Sequence, residues 1–240
     1  MMQFALQLLL CIALGIIIYK KGILDFRATV AAVIMGSAIF YFAGFAWFLL
    51  LVVFLLLGHF STKYKYSQKV ALSVAEGGEG RRGIANVLAN GAVPTFLALL
   101  WHFNSSVILV PSLKAGYIAA VATVAGDTLS SEIGVLSKKK PVLITTFKRV
   151  QTGTHGGISL LGEISGILGV LLIGLVAWTL GLAPFKFCIL AALVGGVVGF
   201  HFDSLLGAVL ERRKLISNAS VNFLSSIAGS LVGLTIALGF

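Results

Sequence analysis

Two carboxylates, Asp127 and Glu132, stand in GDTLSSEIG, residues 126–134, at the end of a run that is otherwise apolar. A carboxylate near the middle of a membrane helix costs about 2.5–3.5 kcal/mol on insertion scales, so acids kept there usually face a polar cavity or a partner. Carboxylate oxygens suit a hard divalent cation, and a site for such a cation is the preferred reading of this pair. On a regular helix Asp127, Ser130 and Ser131 share a face, whereas Glu132 points about 140° away. Both acids serve one site only if Gly126 or Gly134 loosens the helix, or if they contact different ligands. A proton or ion pathway, or structural pairing with Lys138, Lys139 and Lys140 of the next loop, would use the same residues.

A second cluster lies in TTFKRVQTGTHGGISLLGE, residues 145–163. Lys148 and Arg149 precede a glycine-bearing turn, and His155-Gly156-Gly157 is expected to open a helix. Glycine lets the backbone approach a ligand, and the first amides of a helix offer free N–H donors, so phosphate is the ligand this segment suits. Glu163 could orient Lys148 or join the metal. A Gly-Gly pair is also a common helix cap, which is the plainer account.

EGRRGIANVLAN (79–90) and ERRKLISNASVN (211–222) align without gaps, pairing Glu79 with Glu211, Arg81 with Arg213, Asn86 with Asn218 and Asn90 with Asn222. Each is a Glu-Arg loop entering a helix with two asparagines one turn apart. Amides in lipid need partners, so these either join helices or line the polar cavity. Asp203, in HFDSLLG, echoes the Asp-Thr-Leu of residues 127–129 and favours the cavity.

The elements that must position these groups follow from composition. With 58% hydrophobic and only 11% charged residues and a mean hydropathy of +1.04, the chain is expected to be an integral membrane protein, far from the charge content of soluble domains. Apolar runs recur at about 2–19, 28–43, 45–60, 84–103, 115–136, 157–180, 184–210 and 219–239. That pattern predicts an all-α polytopic bundle of about eight transmembrane or re-entrant helices in a single domain, with N-terminal helices in 1–60 and a catalytic core in 61–240. The second and third runs share little more than Gly44 and could be short, tilted or partly re-entrant. Cys11 and Cys188 show no paired spacing.

Basic residues fall on alternate loops: Lys20, Lys21 and Arg27; Lys63, Lys65, Lys69, Arg81 and Arg82; Lys138, Lys139, Lys140, Lys148 and Arg149; Arg212, Arg213 and Lys214. Only Lys114 and Lys186 of the 18 remain for the other side. The positive-inside rule therefore predicts these loops in the cytoplasm and both termini outside. A net charge of +10 then needs no nucleic acid, since membrane orientation accounts for it. All eight acids, Asp25, Glu76, Glu79, Asp127, Glu132, Glu163, Asp203 and Glu211, fall on the same predicted face. Acids and cations are thus expected to converge on one cytoplasm-facing cavity.

GRRGIANVLANG, AGDTLSSEIGVLS, PVLITTFKRVQTGTHGGISLLGE and DSLLGAVLE together resemble the membrane family that contains phytyl-phosphate kinase of plants and cyanobacteria, archaeal relatives and the animal transmembrane protein 19. The resemblance runs from about residue 70 to the end. The Lys-Arg and His-Gly-Gly elements are also similar to CTP-using cytidylyltransferases that make CDP-diacylglycerol, and the Asp-Thr element to phytol and dolichol kinases. Residues 159–163 read SLLGE where the cytidylyltransferases carry Asp-Arg-x-Asp, which argues against simple cytidylyl transfer.

The resemblance implies phosphorylation of an isoprenoid monophosphate, phytyl or geranylgeranyl phosphate, by a nucleoside triphosphate with CTP favoured, at the inner cell membrane. The expected assignment gives Mg²⁺ to Asp127, Glu132, Asp203 and Glu163. Donor phosphates go to Lys148, Arg149 and the Gly156 and Gly157 amides, His155 stands with Asp127, Lys148 and Arg149 as a catalytic candidate, and the acceptor headgroup goes to Arg81, Arg82, Asn86, Asn90, Asn218 and Asn222. Phosphorylation of a prenyl alcohol, which would want Asp127, Asp203 or His155 as proton acceptor, and a cation-coupled transporter are the alternatives.

Overall fold

The computed structural model describes residues 2–104, 106 and 109–236. Helices dominate: α1 (Met2–Lys20), α2 (Phe26–Ala43), α3 (Phe45–Lys63), α6 (Ile84–Phe103), α7 (Leu109–Gly134), α8 (Leu160–Thr179) and α11 (Asn218–Ile236) are long. Between them lie the short α4 (Tyr66–Ala71) and α5 (Gly77–Gly80), and a continuous helical run, Phe185–Glu211, containing α9 (Phe185–Leu190) and α10 (Gly196–Leu206). Among the described residues seven helices are long and apolar enough to cross a membrane, and Phe4–Lys20 is a shorter apolar one.

The expected bundle is therefore present, with differences at its joints. Phe26–Ala43 and Phe45–Lys63 are of full spanning length, so α2 and α3 are not abbreviated. Gly44 turns the chain between them at φ 95°, a conformation suited to glycine. The predicted eighth run reached residue 239; its last three positions lie outside the described residues. Helix α8 starts at Leu160, three residues later than expected, because the Ser159 side chain caps it by accepting from the Gly162 amide at 3.1 Å.

Helix α7 is the axis of the bundle, its most apolar stretch 78% buried. Its sequence explains this, since Ala, Gly and Ser let neighbouring backbones approach closely. A Cβ added at Gly195 or Gly233 would come within 2.5 Å of the Ala119 Cβ, so the helices beside α7 have no room for a larger residue there. Tyr117, fully buried on α7, donates to the Trp47 carbonyl at 2.6 Å and ties α3 to this axis.

One end of the bundle carries the folded loops. Residues 141–158 double back as β1 (Val142–Leu143) antiparallel to β2 (Gly157–Ile158). The run Phe185–Glu211 contains two wider π turns, Ala191–Gly195 and Gly207–Glu211. Single π turns interrupt α-helices frequently at functional sites. The second one packs directly against the doubled-back loop: Gly156, at φ 73°, sits so close that an added Cβ would lie 2.5 Å from the Ser204 carbonyl oxygen and from the Ala208 amide nitrogen.

Candidate active site

At the looped end, α7, α8, α10, the 141–158 loop and the start of α11 enclose an open cleft of about 1230 Å³, its mouth included. Six of the eight acids line it: Glu76, Asp127, Glu132, Glu163, Asp203 and Glu211. The other two lie outside it. Asp25 caps α2 by accepting from the Ala28 amide at 2.7 Å, and Glu79 is exposed, its backbone carbonyl accepting from Lys63 Nζ.

Asp127 and Asp203 form the centre. One stands on α7 and the other on α10, and both line the cleft. Asp203 is buried and accepts from Ser225 Oγ at 2.9 Å. Asn222, with its amide nitrogen turned inward, donates to the same carboxylate oxygen at 3.2 Å and to the Asn218 carbonyl at 3.2 Å. Helix α11 thus fixes the orientation of one acid, while the other keeps its oxygens for the cleft. Two adjacent carboxylates repel unless a proton or cation stands between them. Their hard oxygen donors fit Mg²⁺, which takes one or two carboxylates and completes its shell with water and substrate phosphates rather than with an all-protein cage. No group of three or more acid, histidine or cysteine side chains among the described residues forms such a cage.

Glu132 and Glu163 line the cleft but are engaged. Glu132 accepts from Lys69 Nζ at 2.6 Å with one oxygen and from Thr62 Oγ1 at 2.8 Å with the other. Lys69 is fully buried and also donates to the carbonyls of Ser61 and Thr62. Glu163 pairs with His201 Nε2 at 2.9 Å, whose Nδ1 lies 2.8 Å from the Val197 carbonyl. Asp127 and Glu132 therefore share a cleft while meeting different partners, on a helix that stays regular through Gly134.

The predicted phosphate segment is differently arranged. The Gly157 amide, expected to be a free helix donor, donates to the Thr154 carbonyl at 2.9 Å and lies in β2. Gly156 lines the cleft through its backbone, and its carbonyl accepts from the Ile144 amide. His155 is half exposed and faces Glu211 at 3.2 Å across the junction with the second π turn. Lys148 is exposed and does not line the cleft; its carbonyl is held by the Leu143 amide. Arg149 joins Lys140 and Arg212 around an adjoining groove that meets the acidic cleft at Thr154. Lys148 and Arg149 therefore do not join the acids in the one cavity where acids and cations are expected to converge, because the hairpin holds Lys148 outside the cleft and Arg149 in the adjoining groove.

The residues expected at the acceptor headgroup also divide: Arg82, Asn86 and Asn90 stay together, while Arg81 and Asn218 lie elsewhere. Arg81 is exposed and lies beside Gly22. Arg82 is buried, its backbone clamped by the Ile23 carbonyl and the Asp25 amide. Its guanidinium rests on Gly58 and donates to Thr62 at 3.4 Å, the same hydroxyl that donates to Glu132. Burial pulls the Arg82 guanidinium below the ordinary arginine value, while Glu132, Glu76 and Asp127 act in the opposite direction. Asn90 donates to Asn86 at 3.0 Å, and both line an apolar slot with Arg82. Asn218 lines the acidic cleft. The two copies of the repeat thus serve different cavities.

The family described as Integral membrane protein DUF92 matches residues 9–230. The chain belongs to that family. An uncharacterized membrane protein of Methanocaldococcus jannaschii is 37% identical over 233 residues, covering 97% of this chain and 93% of that protein. Protein VTE6, chloroplastic, of Arabidopsis thaliana is 32% identical over 211 residues, covering 85% of this chain and 62% of that protein. Protein PGR of the same plant is 31% identical over 213 residues, covering 80% and 74%. No solved structure matches. The match reaches back to residue 9, so the N-terminal helices belong to the DUF92 unit as well, beyond the part from residue 70 that the motifs marked.

Lys69, Thr62, His201, Glu211 and Ser225 of this DUF92 protein were not singled out as site residues by sequence. Lys69 is one lysine among several in a basic loop, and its role is set by a partner 63 residues away. Glu211 carried a signal, its place in the repeat, whereas Ser225 and Thr62 are hydroxyls in apolar helices with no distinguishing neighbour.

Proposed function

We propose that the protein is a membrane kinase that transfers the terminal phosphoryl group of a nucleoside triphosphate, CTP first among them, to an isoprenoid monophosphate. The observation that carries this reading is the junction at Arg82. A buried guanidinium stands at the head of an apolar slot and shares Thr62 with an acid of the polar cleft. A phosphate on a greasy tail is the ligand whose two halves match those two environments. The motif resemblance to the family that contains phytyl-phosphate kinase supports the same reaction.

In this reading an oxygen of the acceptor monophosphate attacks the γ-phosphorus, the bond from γ-phosphorus to the bridging oxygen breaks, and the nucleoside diphosphate leaves. The acceptor is already an oxyanion near neutral pH, so no general base is needed; the work is positioning and charge neutralisation. Asp127 and Asp203 would hold Mg²⁺, which supplies neutralisation of the donor phosphates when bound. Ser225 and Asn222 orient Asp203. Arg149, with Lys140 and Arg212, receives the outer phosphates or the nucleotide at the cleft mouth. Arg82 holds the acceptor phosphate, and the Lys69–Glu132–Thr62 chain fixes the guanidinium from behind. His155 and Glu211 pin the 141–158 loop over the second π turn. The site would face the cytoplasm of the inner membrane, as the loop charges imply.

Detergent-purified protein given Mg²⁺, a panel of nucleoside triphosphates and either geranylgeranyl monophosphate or geranylgeraniol tests the reading. Diphosphate from the monophosphate is the expected product. Phosphorylation of the alcohol alone would convert the assignment to an alcohol kinase, and solute uptake by proteoliposomes without any phosphorylated product would favour transport.

A further inference from the structure

Between α1, α2, α3 and α6 runs a slot separate from the acidic cleft, about 760 Å³ with its open side included. Its walls are apolar except where Arg82, Asn86 and Asn90 enter. The two asparagines are joined by the bond from Asn90 to Asn86. Arg82 is different: it is 6% exposed, its one side-chain hydrogen bond is the long contact to Thr62, and no carboxylate forms an ion pair with it among the described residues. A buried cation without a close counter-ion is costly, so an anion at this position would relieve it.

Met35 and Phe48 also line the slot. Both lean on glycines: a Cβ at Gly91 would lie 2.6 Å from Met35 Cε, and one at Gly36 would lie 3.1 Å from Phe48 Cε2. From Ile84, where α6 begins two residues after Arg82, to Gly91 is seven residues, roughly 10 Å along the helix.

Resting on the kinase reading, we propose that this slot holds the single isoprenoid tail of the acceptor, with its phosphate on Arg82, and that Met35 and Phe48 form the floor that sets which chain lengths are used. An uncharged occupant would leave Arg82 unanswered. A diacyl phosphate would bring two tails to one lane. Met35 is the softer of the two floor residues, since an unbranched thioether fills irregular gaps and yields to substitution.

Two measurements on the full chain test this. Farnesyl monophosphate carrying a photoreactive diazirine at its tail should label peptides around Met35 and Phe48. That labelling should fall with Arg82→Ala, and with Gly58→Leu, which pushes the guanidinium aside. Geranyl, farnesyl and geranylgeranyl monophosphates compared as acceptors should show Met35→Ala raising the long-to-short ratio of kcat/KM by about tenfold, the usual scale for one or two methylenes in an apolar pocket. Ala32→Phe should lower the ratio by a similar factor. Labelling confined to lipid-facing positions such as Leu168, equal competition by farnesol or phosphatidic acid, or ratios unchanged in both variants would overturn the slot assignment. Phosphate-dependent labelling in the slot without diphosphate formation would refute the kinase reading and leave the binding site. Diphosphate formation with labelling elsewhere would do the reverse.

Discussion

Each acid in the cleft is defined by what it touches. Asp203 is oriented by Ser225 and Asn222, Glu132 is occupied by Lys69 and Thr62, and Asp127 is left to face the cleft beside Asp203. Asp127→Asn should therefore lower turnover by about 100-fold or more, the scale of losing one preorganised electrostatic group, while the protein still inserts and keeps its thermal midpoint. Steady-state rates beside a melting curve check this. The Lys69–Glu132 pair makes the opposite prediction. Lys69→Met alone strands Glu132 and should cost about 3–5 kcal/mol, and adding Glu132→Gln should restore much of the loss, because removing both members of a buried pair is far cheaper than removing one. Denaturation of the two variants in matched micelles measures the difference. At this scale the sequence was partly legible. Asp127 and Asp203 stood out because acids are expensive in apolar runs, whereas Lys69 did not, since nothing local distinguishes a buried lysine from a solvated one in the same loop.

At the scale of elements, hydropathy reads helices well because spanning length is imposed by the bilayer. It cannot read where a helix widens or a loop folds back. The π turn Gly207–Glu211 brings Glu211 into the cleft and makes the seat for Gly156. The hairpin over 141–158 withdraws Lys148 and the Gly157 amide from the places that a simple loop-to-helix reading gave them. Both depend on tertiary pairing rather than on any local preference. Gly156→Ala would meet a positive φ and the Ser204 carbonyl together, so it should loosen the loop and lower activity more than stability. Limited proteolysis in the 141–158 loop, quickened in the variant while the helices stay protected, is the expected pattern.

For the whole molecule, the small-residue axis of α7 holds the helices at close range and leaves polar groups concentrated at one end, where a phosphate-bearing lipid could meet a soluble nucleotide. Loop charge predicts which end faces the cytoplasm. Cys11 and Cys188 are buried, so single cysteines placed at the exposed positions Lys139 and Lys186 report orientation with little background. An impermeant maleimide should label Lys139→Cys only from the cytoplasmic side and Lys186→Cys only from the other. The most direct test of the account is the fate of a γ-³²P-labelled nucleoside triphosphate incubated with geranylgeranyl monophosphate and purified protein. The label should appear in geranylgeranyl diphosphate with the wild type and nearly vanish with Asp127→Asn and with Arg82→Ala. No labelled diphosphate from any nucleotide, or undiminished transfer by the Asp127→Asn protein, would contradict it.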